Sequence, residues 1–110
     1  MKTQQLQQLQ QGDVILTRIE ALPSGDAVPV RPGARGHVLA DGEITGHAHV
    51  IPEPHATMTQ IGAKLYITVL APTRVTHEEH KPIDLEPGVY EVGRVREWDY
   101  LADMARTVAD

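Results

Sequence analysis

The chain contains no cysteine and no phenylalanine, and it has no long run of apolar residues. Without cysteine, disulfides and thiolate metal sites are excluded, so any metal ion would be held by histidine and carboxylate side chains. No apolar run approaches the roughly 20 residues that span a bilayer. The first residues also lack the apolar segment of a signal peptide. We therefore expect a soluble cytoplasmic protein without a membrane partner.

Aromatic residues are scarce, at 4% of the chain, whereas apolar residues make up 41%. The core must therefore be built from valine, isoleucine, leucine and alanine. The 110 residues are enough for one domain with a single core. The formal net charge of −5 argues against a nucleic-acid partner. The nine glycines and eight prolines imply many turns and argue against a helical bundle.

Short runs rich in β-branched residues recur between turn signals, and each run predicts a strand. The predicted strands span residues 14–19, 37–40, 43–51, 57–61, 65–70, 74–79 and 89–98. Asp41-Gly42 is typical of a two-residue hairpin turn. Residues 27–36 contain two prolines and two glycines, which predict an irregular extended loop. Together these signals predict a mainly β fold, in the form of a small antiparallel β-barrel or sandwich.

The two ends of the chain differ from this pattern. Residues 1–11 are rich in glutamine, and Leu6 and Leu9 have a spacing that suits a short helix with a narrow apolar stripe. We therefore divide the chain into an N-terminal arm, residues 1–11, and a single β domain, residues 12–110. Near the other end, Asp99 is a good N-cap, and apolar residues follow it at helical spacing. This pattern predicts a short C-terminal helix.

Four of the six histidines lie in two short segments, residues 45–49 and 76–83. Because alternate side chains of a strand share a face, His47 and His49 would point the same way and could bind one metal ion. We predict that the two segments converge on a divalent metal, which could be zinc, iron, manganese or nickel. The predicted ligands are His47, His49, His77 and His80.

Two carboxylates lie between the histidines of the second segment. In a strand, Glu79 would share a face with His77, whereas Glu78 would face away. Either carboxylate could orient a ligand or act as a general base. Three metal ligands with one open position would favour hydrolysis, whereas four would make the site structural. The zinc-protease motif is excluded because His77 and His80 are three residues apart and Pro82 disfavours a helix.

Other interpretations of the two segments remain open. Histidine and glutamate on neighbouring strands can hydrogen-bond across a sheet or form a solvated face. The same residues could perform acid–base catalysis without a metal, in which a glutamate orients a histidine tautomer. A further alternative is a non-enzymatic assembly or interaction module whose histidines are structural. A small β domain often hides its edge strands by self-association, so we expect a homo-oligomer.

The last predicted strand places Arg94 and Arg96 on one face with two aromatic residues. Guanidinium groups in such a strip suit a small anionic ligand that carries a phosphate or carboxylate. The alternative is that both arginines form ion pairs within the protein. The expected partners are then Glu78, Glu79 and Glu97.

A glycine followed by His-x-His and then glutamate forms a recognisable pattern at Gly42, His47, His49 and Glu53. This pattern resembles the first motif of the cupins, in which these residues bind a metal inside a small β-barrel. The interval after Gly42 is one residue shorter than in that motif. Pro87-Gly88 resembles part of the second cupin motif, but the histidine of that motif does not follow it.

A broader resemblance covers nearly the whole chain. The shared landmarks are Gln11-Gly12-Asp13-Val14, residues 42–49, residues 76–83, residues 87–92 and residues 94–98. With these landmarks the chain resembles a group of small, functionally uncharacterised bacterial and phage proteins. The resemblance implies membership of that group and brings no activity with it.

Overall fold

The computed structural model describes residues 7–41, 47–52 and 54–94, and these residues form a mainly β protein. The described strands are β1 (Gln8–Gln11), β2 (Val14–Ile19), β3 (Ala27–Val30), β4 (His37–Asp41), β5 (Ala48–Ile51), β6 (Ala56–Ile61), β7 (Lys64–Val69), β8 (Thr73–Val75), β9 (Ile83–Leu85) and β10 (Gly88–Arg94). Six of them form one sheet in the order β1-β2-β10-β7-β6-β3. The hairpins β4-β5 and β8-β9 form two smaller sheets.

Every strand pair in the described part of the chain is antiparallel, which confirms the predicted mainly β, antiparallel class. The sequence predicted a barrel or a sandwich, and this part of the chain does not form a closed barrel. Strands β1 and β3 lie at the two edges of the large sheet and do not pair with each other. The sheet is therefore open.

The core is mostly aliphatic, as the scarcity of aromatic residues predicts. Alternation along β2 turns Val14 and Leu16 inward, each 1% exposed, while their neighbours are only partly buried. Side chains from the large sheet and from both hairpins meet there. The largest fully buried residues are Tyr90, Leu16, Ile51, Ile67, Leu85, Val14 and Val75.

The helix predicted in the N-terminal arm is wrong for residues 8–11, which form β1. This strand pairs with β2 in the register Gln11↔Val14, so the chain reverses through a two-residue turn. Gly12 has a φ of 58°, a left-handed conformation that glycine adopts at little cost. Leu9 packs against the core from the strand. Backbone pairing and this contact outweigh the weak helical spacing of the two leucines.

The predicted loop of residues 27–36 is also partly wrong, because Ala27–Val30 forms β3 and pairs with β6. Pro29 is tolerated there because β3 is an edge strand, where a missing N–H removes little from the sheet. Residues 31–36 carry no further strand, although Gly33 and Gly36 form an isolated bridge.

The strand predicted over residues 74–79 ends early, at Val75, after which only Thr76 makes an isolated bridge to Val50. The chain then bends through residues 77–80 and returns as β9, which the sequence pattern did not predict. Proline at position 82 and the short length of both strands account for this difference. The bend carries His77 and His80 to the side of β5.

Several predictions lie outside the described residues. These are the strand start at residues 43–46, the end of the last strand at residues 95–98, and the C-terminal helix after Asp99. Within the described ranges, no helix has the length and apolar character needed to cross a membrane.

Candidate functional site

Strand β5 and the bend after β8 hold the two histidine segments side by side. Two backbone hydrogen bonds join them: Val50 donates to the Thr76 carbonyl at 2.9 Å, and Thr76 donates to the Val50 carbonyl at 2.8 Å. His49 lies within β5 and is 5% exposed, whereas His47 precedes the strand and is half-buried. The two segments therefore converge as the sequence predicts.

The four imidazole rings of His47, His49, His77 and His80 form what we call the histidine cluster. His77 lies at its centre, with ring centroids 5.7 Å from His47, 4.4 Å from His49 and 4.5 Å from His80. The His49 and His80 rings are nearly parallel, with centroids 5.9 Å apart. Imidazoles from both segments thus share one small region.

If residues 74–79 were a strand, Glu78 would face away from His77. In the structure the chain bends after Val75, and Glu78 faces β5. One carboxylate oxygen accepts the Ala48 N–H at 3.0 Å, and the other pairs with Arg35. The Ala48 hydrogen bond, its own backbone N–H and the Arg35 charge lower the pKa of Glu78, and burial raises it only in part. The Glu78 side chain is therefore an ionised carboxylate at neutral pH, and it lies beside the histidine cluster.

Glu79 lies on the solvent side of the cluster. Its Oε1 is 3.3 Å from Nδ1 of His47, and its side chain is 66% exposed. Its backbone N–H donates to Nδ1 of His77 at 3.0 Å. Because Nδ1 accepts this hydrogen bond, a neutral His77 carries its proton on Nε2.

Within residues 7–41, 47–52 and 54–94, one set of side chains meets the geometric requirement for holding a metal ion. His47, His77 and Glu78 each offer one ligand atom, and these atoms all lie within 4.8 Å of one another. We call this set the His–His–Glu triad. It combines two of the four predicted histidine ligands with one of the carboxylates predicted to be catalytic.

A cleft of about 290 Å³ opens beside the triad. Its walls combine charged, polar and apolar side chains from both segments. The lining residues are Arg35, Ala48, Val50, Thr76, His77 and Glu78.

Gln11 contacts the histidine cluster, although the sequence analysis gave it no functional role. Its buried amide donates to the Val75 carbonyl at 3.2 Å and to the Lys81 carbonyl at 2.8 Å. Its Oε1 is 2.9 Å from Nδ1 of His49. Strand pairing of β1 at the sheet edge gives Gln11 this position. The sequence signal at Gln11 is its place in the landmark Gln11-Gly12-Asp13-Val14, which indicates no contact with a histidine.

Asp13 is the second residue to which the sequence analysis gave no functional role, although it stands in the same landmark. Its Oδ1 is 3.5 Å from Nε2 of His49, and its Oδ2 accepts two hydrogen bonds from Arg94 at 2.7 and 3.0 Å. Burial alone would raise the pKa of Asp13, but the hydrogen bonds and charge of Arg94 outweigh it and lower that pKa. Asp13 is therefore a carboxylate that faces a buried imidazole.

Arg94 pairs with Asp13 and not with Glu78 or Glu79, because its guanidinium reaches Asp13 across the β2–β10 pair. Glu97, the third expected partner, lies outside the described residues. Arg96, the other residue of the predicted anion-binding strip, lies outside the described residues. Anion binding by Arg94 and Arg96 stays a prediction.

The remaining two histidines lie apart from the cluster. His37 is buried, and its Nε2 is 2.9 Å from the Ala56 carbonyl. His55 is exposed and precedes β6. His37 therefore packs inside the protein, and His55 is a surface residue.

Comparison with known proteins shows the family but no activity. No curated protein and no solved structure matches the chain. The cupin-like pattern and the bacterial or phage origin stay predictions, and Gly42 and Glu53 of that pattern lie outside the described residues. A family model described as Domain of unknown function (DUF8820) matches residues 10–95, a range that includes the histidine cluster, Gln11, Asp13 and Arg94. The chain therefore belongs to this family.

Proposed function

We propose that this protein binds a divalent metal ion through His47, His77 and Glu78. The observation that carries the proposal is the mutual distance of at most 4.8 Å among their three ligand atoms. Ligand atoms at about 2.0–2.1 Å from a tetrahedral zinc ion are roughly 3.3 Å apart, which small side-chain rotations would reach. Two imidazoles and one carboxylate suit zinc and its neighbours in the first transition row.

The environment of the triad supports this assignment. Ala48 and Arg35 hold the Glu78 carboxylate in place, which reduces the entropy lost when a metal binds. A metal ion bound to His77 would replace the hydrogen bond from Glu79 N–H, because Nδ1 accepts that bond and the proton of the ring is on Nε2. The two contacts of Glu78 resemble the outer hydrogen bonds that orient ligands in metalloproteins.

Three protein ligands leave one coordination position for water or a ligand, and the adjoining cleft gives access to it. A bound divalent ion in such a site lowers the pKa of water, so hydrolase-type activity is the chemistry we propose. Glu79 is the carboxylate beside the triad that could accept a proton. Its distance of 3.3 Å from His47 Nδ1 keeps it at the edge of the site.

The test is metal binding by the untagged protein, because a histidine tag would mask the result. We expect near-stoichiometric metal in elemental mass spectrometry and a zinc affinity that falls at least ten-fold in His77→Ala. The matched control is His55→Ala, which removes an exposed imidazole outside the cluster. Equal zinc affinities in all three proteins, or no metal and no thermal stabilisation by any divalent ion, would contradict the proposal.

A second candidate function is non-enzymatic self-association. It is favoured by the open edges of the large sheet and by Val28, which is 57% exposed on the edge strand β3. Unpaired edge strands are common sites of pairing between chains. In this case the histidine cluster would be a structural feature of the subunit.

A further inference from the structure

Arg35 stands at the tip of a turn that the backbone closes tightly. Gly33 and Gly36 exchange two backbone hydrogen bonds, of 2.9 and 3.1 Å, so that Arg35 is one of the two loop residues between them. Gly36 has a φ of 115°, and a Cβ there would be 2.6 Å from the Ile51 carbonyl oxygen. The turn is therefore packed against β5, the strand whose backbone also binds Glu78.

The ion pair between Arg35 and Glu78 is a weak reason for this construction. The two side chains are 49% and 41% exposed, and water screens an ion pair that is so exposed. Arg35 also lines the cleft beside the His–His–Glu triad, as do His77 and Glu78. The tight turn thus holds a guanidinium at the wall of the cleft, next to two of the three proposed metal ligands.

A divalent ion in the triad would give the cleft an excess of positive charge. Metal-bound imidazoles are neutral, so the ion, the Glu78 carboxylate and the Arg35 guanidinium together carry a net charge of about +2. Glu79, a second carboxylate near the triad, does not line the cleft, and its side chain is 66% exposed. An anion that enters the cleft would therefore be attracted by both the ion and the guanidinium.

We propose that the metal-loaded cleft binds small molecules that carry an oxyanion, either a phosphate or a carboxylate, and that Arg35 selects them. This inference rests on the proposed metal site. One oxygen of the anion would take the coordination position that the triad leaves open, and another would accept hydrogen bonds from the guanidinium fork. Arg35 is then a specificity-determining residue of the site.

The size and charge of the protein favour a small ligand. A cleft of about 290 Å³ lies at the small end of the range for ligand pockets. The formal net charge of −5 opposes the approach of a large polyanion. Ala48 and Val50 give the cleft an apolar wall, which would contact the uncharged part of the ligand.

The charge balance predicts that the metal ion and the anion bind cooperatively. Without an anion, the positive charge of Arg35 opposes the ion, whereas a bound anion offsets both charges. By linkage, the factor by which an anion raises the zinc affinity equals the factor by which zinc raises the affinity for that anion. The ratio of the zinc affinities with and without an anion therefore measures the proposed contact.

The experiment measures the zinc affinity of the untagged full chain with and without inorganic phosphate. Zinc is supplied from a chelator buffer, so that free zinc stays too low to precipitate phosphate. We expect phosphate to raise the zinc affinity of the wild type about five-fold or more, and Arg35→Gln to lose this gain. The ratio is the readout, because Arg35→Gln also changes how the Glu78 carboxylate is held.

Two further variants and a second anion complete the design. Arg74→Gln is the matched control, because Arg74 is 56% exposed, pairs with Asp84 and lies outside this cleft. It should keep the full gain, and Arg35→Lys, which retains the charge without the fork, should keep part of it. Acetate in place of phosphate distinguishes the two oxyanions, since the larger gain identifies the preferred group. Circular dichroism confirms that each variant is folded.

The outcomes separate this inference from the proposed function. If the wild type binds zinc but neither anion changes its zinc affinity, the inference is overturned and the metal site stands. Equal gains in the wild type and Arg35→Gln would also overturn it, since the anion would then contact the ion alone. If the wild type binds no zinc, the metal site and this inference both fail.

Discussion

Gln11 and Gly12 have adjacent but different roles at the end of β1. Gln11 uses one buried amide for three contacts, and its partner His49 lies 38 residues away in the sequence. Gly12 gives the following turn its left-handed conformation and leaves room for His80. A single change at either residue therefore reaches the histidine cluster through direct contact.

We expect Gly12→Ala to destabilise the protein and to displace His80. The left-handed φ of 58° costs alanine about 1–2 kcal/mol, and the new Cβ would lie 2.6 Å from His80 Nε2. Urea unfolding measures the loss of stability, and NMR of the imidazole nitrogens reports whether His80 moves.

Gly62→Ala is the matched control, because Gly62 has a φ of 63° but no heavy atom within 4 Å of its Cβ position. It should show the backbone cost alone, with unchanged His80 resonances. An equal loss in the free energy of unfolding in the two variants, with unchanged His80 resonances, would show that the contact between His80 and Gly12 does not contribute to stability.

At the scale of elements, β10 joins the two halves of the large sheet, because it pairs with β2 on one side and β7 on the other. Tyr90 anchors it from the inside. Its ring is fully buried, and its hydroxyl donates to the Glu86 carbonyl at 2.7 Å. The end of β10 carries Arg94 to Asp13, so the position of this strand also determines the surroundings of His49.

We expect the stability of the protein to fall at alkaline pH in a way that depends on Tyr90. Burial raises the pKa of Tyr90, and the Arg18 charge offsets this only in part. Above roughly pH 10 the unfolded chain loses the phenol proton before the folded protein does. The free energy of unfolding therefore falls as pH rises through the pKa of the folded state.

Urea unfolding of wild type and Tyr90→Phe between pH 7 and pH 11 checks this. The variant should lose about 1 kcal/mol at pH 7, for the missing hydrogen bond, and should show a smaller alkaline fall. If the free energy of unfolding decreases equally in both proteins at alkaline pH, the decrease is due to groups other than Tyr90.

The strands that the sequence predicted well are those whose own residues are mostly apolar or β-branched and fill the core. β2 alternates buried and partly buried residues at its start, and β7 buries Tyr66, Ile67 and Val69. β1, β3 and β9 were missed because backbone pairing forms them and their own residues are polar, proline-containing or few. β1 and β9 pair with the strand next to them in the chain, and β3 pairs with β6. The residues of a strand carry little information about such pairing when they have no clear apolar pattern.

The candidate site shows the same division. The spacing of the histidines predicted that two segments converge, and the structure brings them together. The orientation of Glu78 and the contacts of Asp13 could not be predicted, since the first depends on a bend after β8 and the second on the β1–β2 turn. Both depend on tertiary geometry.

At the scale of the whole molecule, the open sheet leaves two edges and several exposed apolar side chains. Val28 on β3 is 57% exposed, and Leu70, which follows β7, is 62% exposed. The formal net charge of −5 opposes close approach of two copies at low salt. Self-association would therefore depend on an apolar or backbone contact.

We predict that the chain self-associates through β3. Sedimentation velocity should show an oligomer for wild type and a monomer for Val28→Lys, which places a charge on the edge strand. Leu70→Lys is the control, since it removes an equally exposed apolar residue that is not part of a strand. A monomeric wild type, or an oligomer that only Leu70→Lys disrupts, would contradict the prediction.

The contacts around His49 link residues that are far apart along the chain, and this affects the order of folding. Gln11 bonds to carbonyls 64 and 70 residues away, and Asp13 pairs with Arg94 across 81 residues. Contacts of such long range require large loops to close first and therefore slow folding. A growing chain contains all its histidines before β10 has joined the sheet. We therefore expect metal uptake to follow completion of the fold, so that an ion bound in the histidine cluster marks a finished molecule.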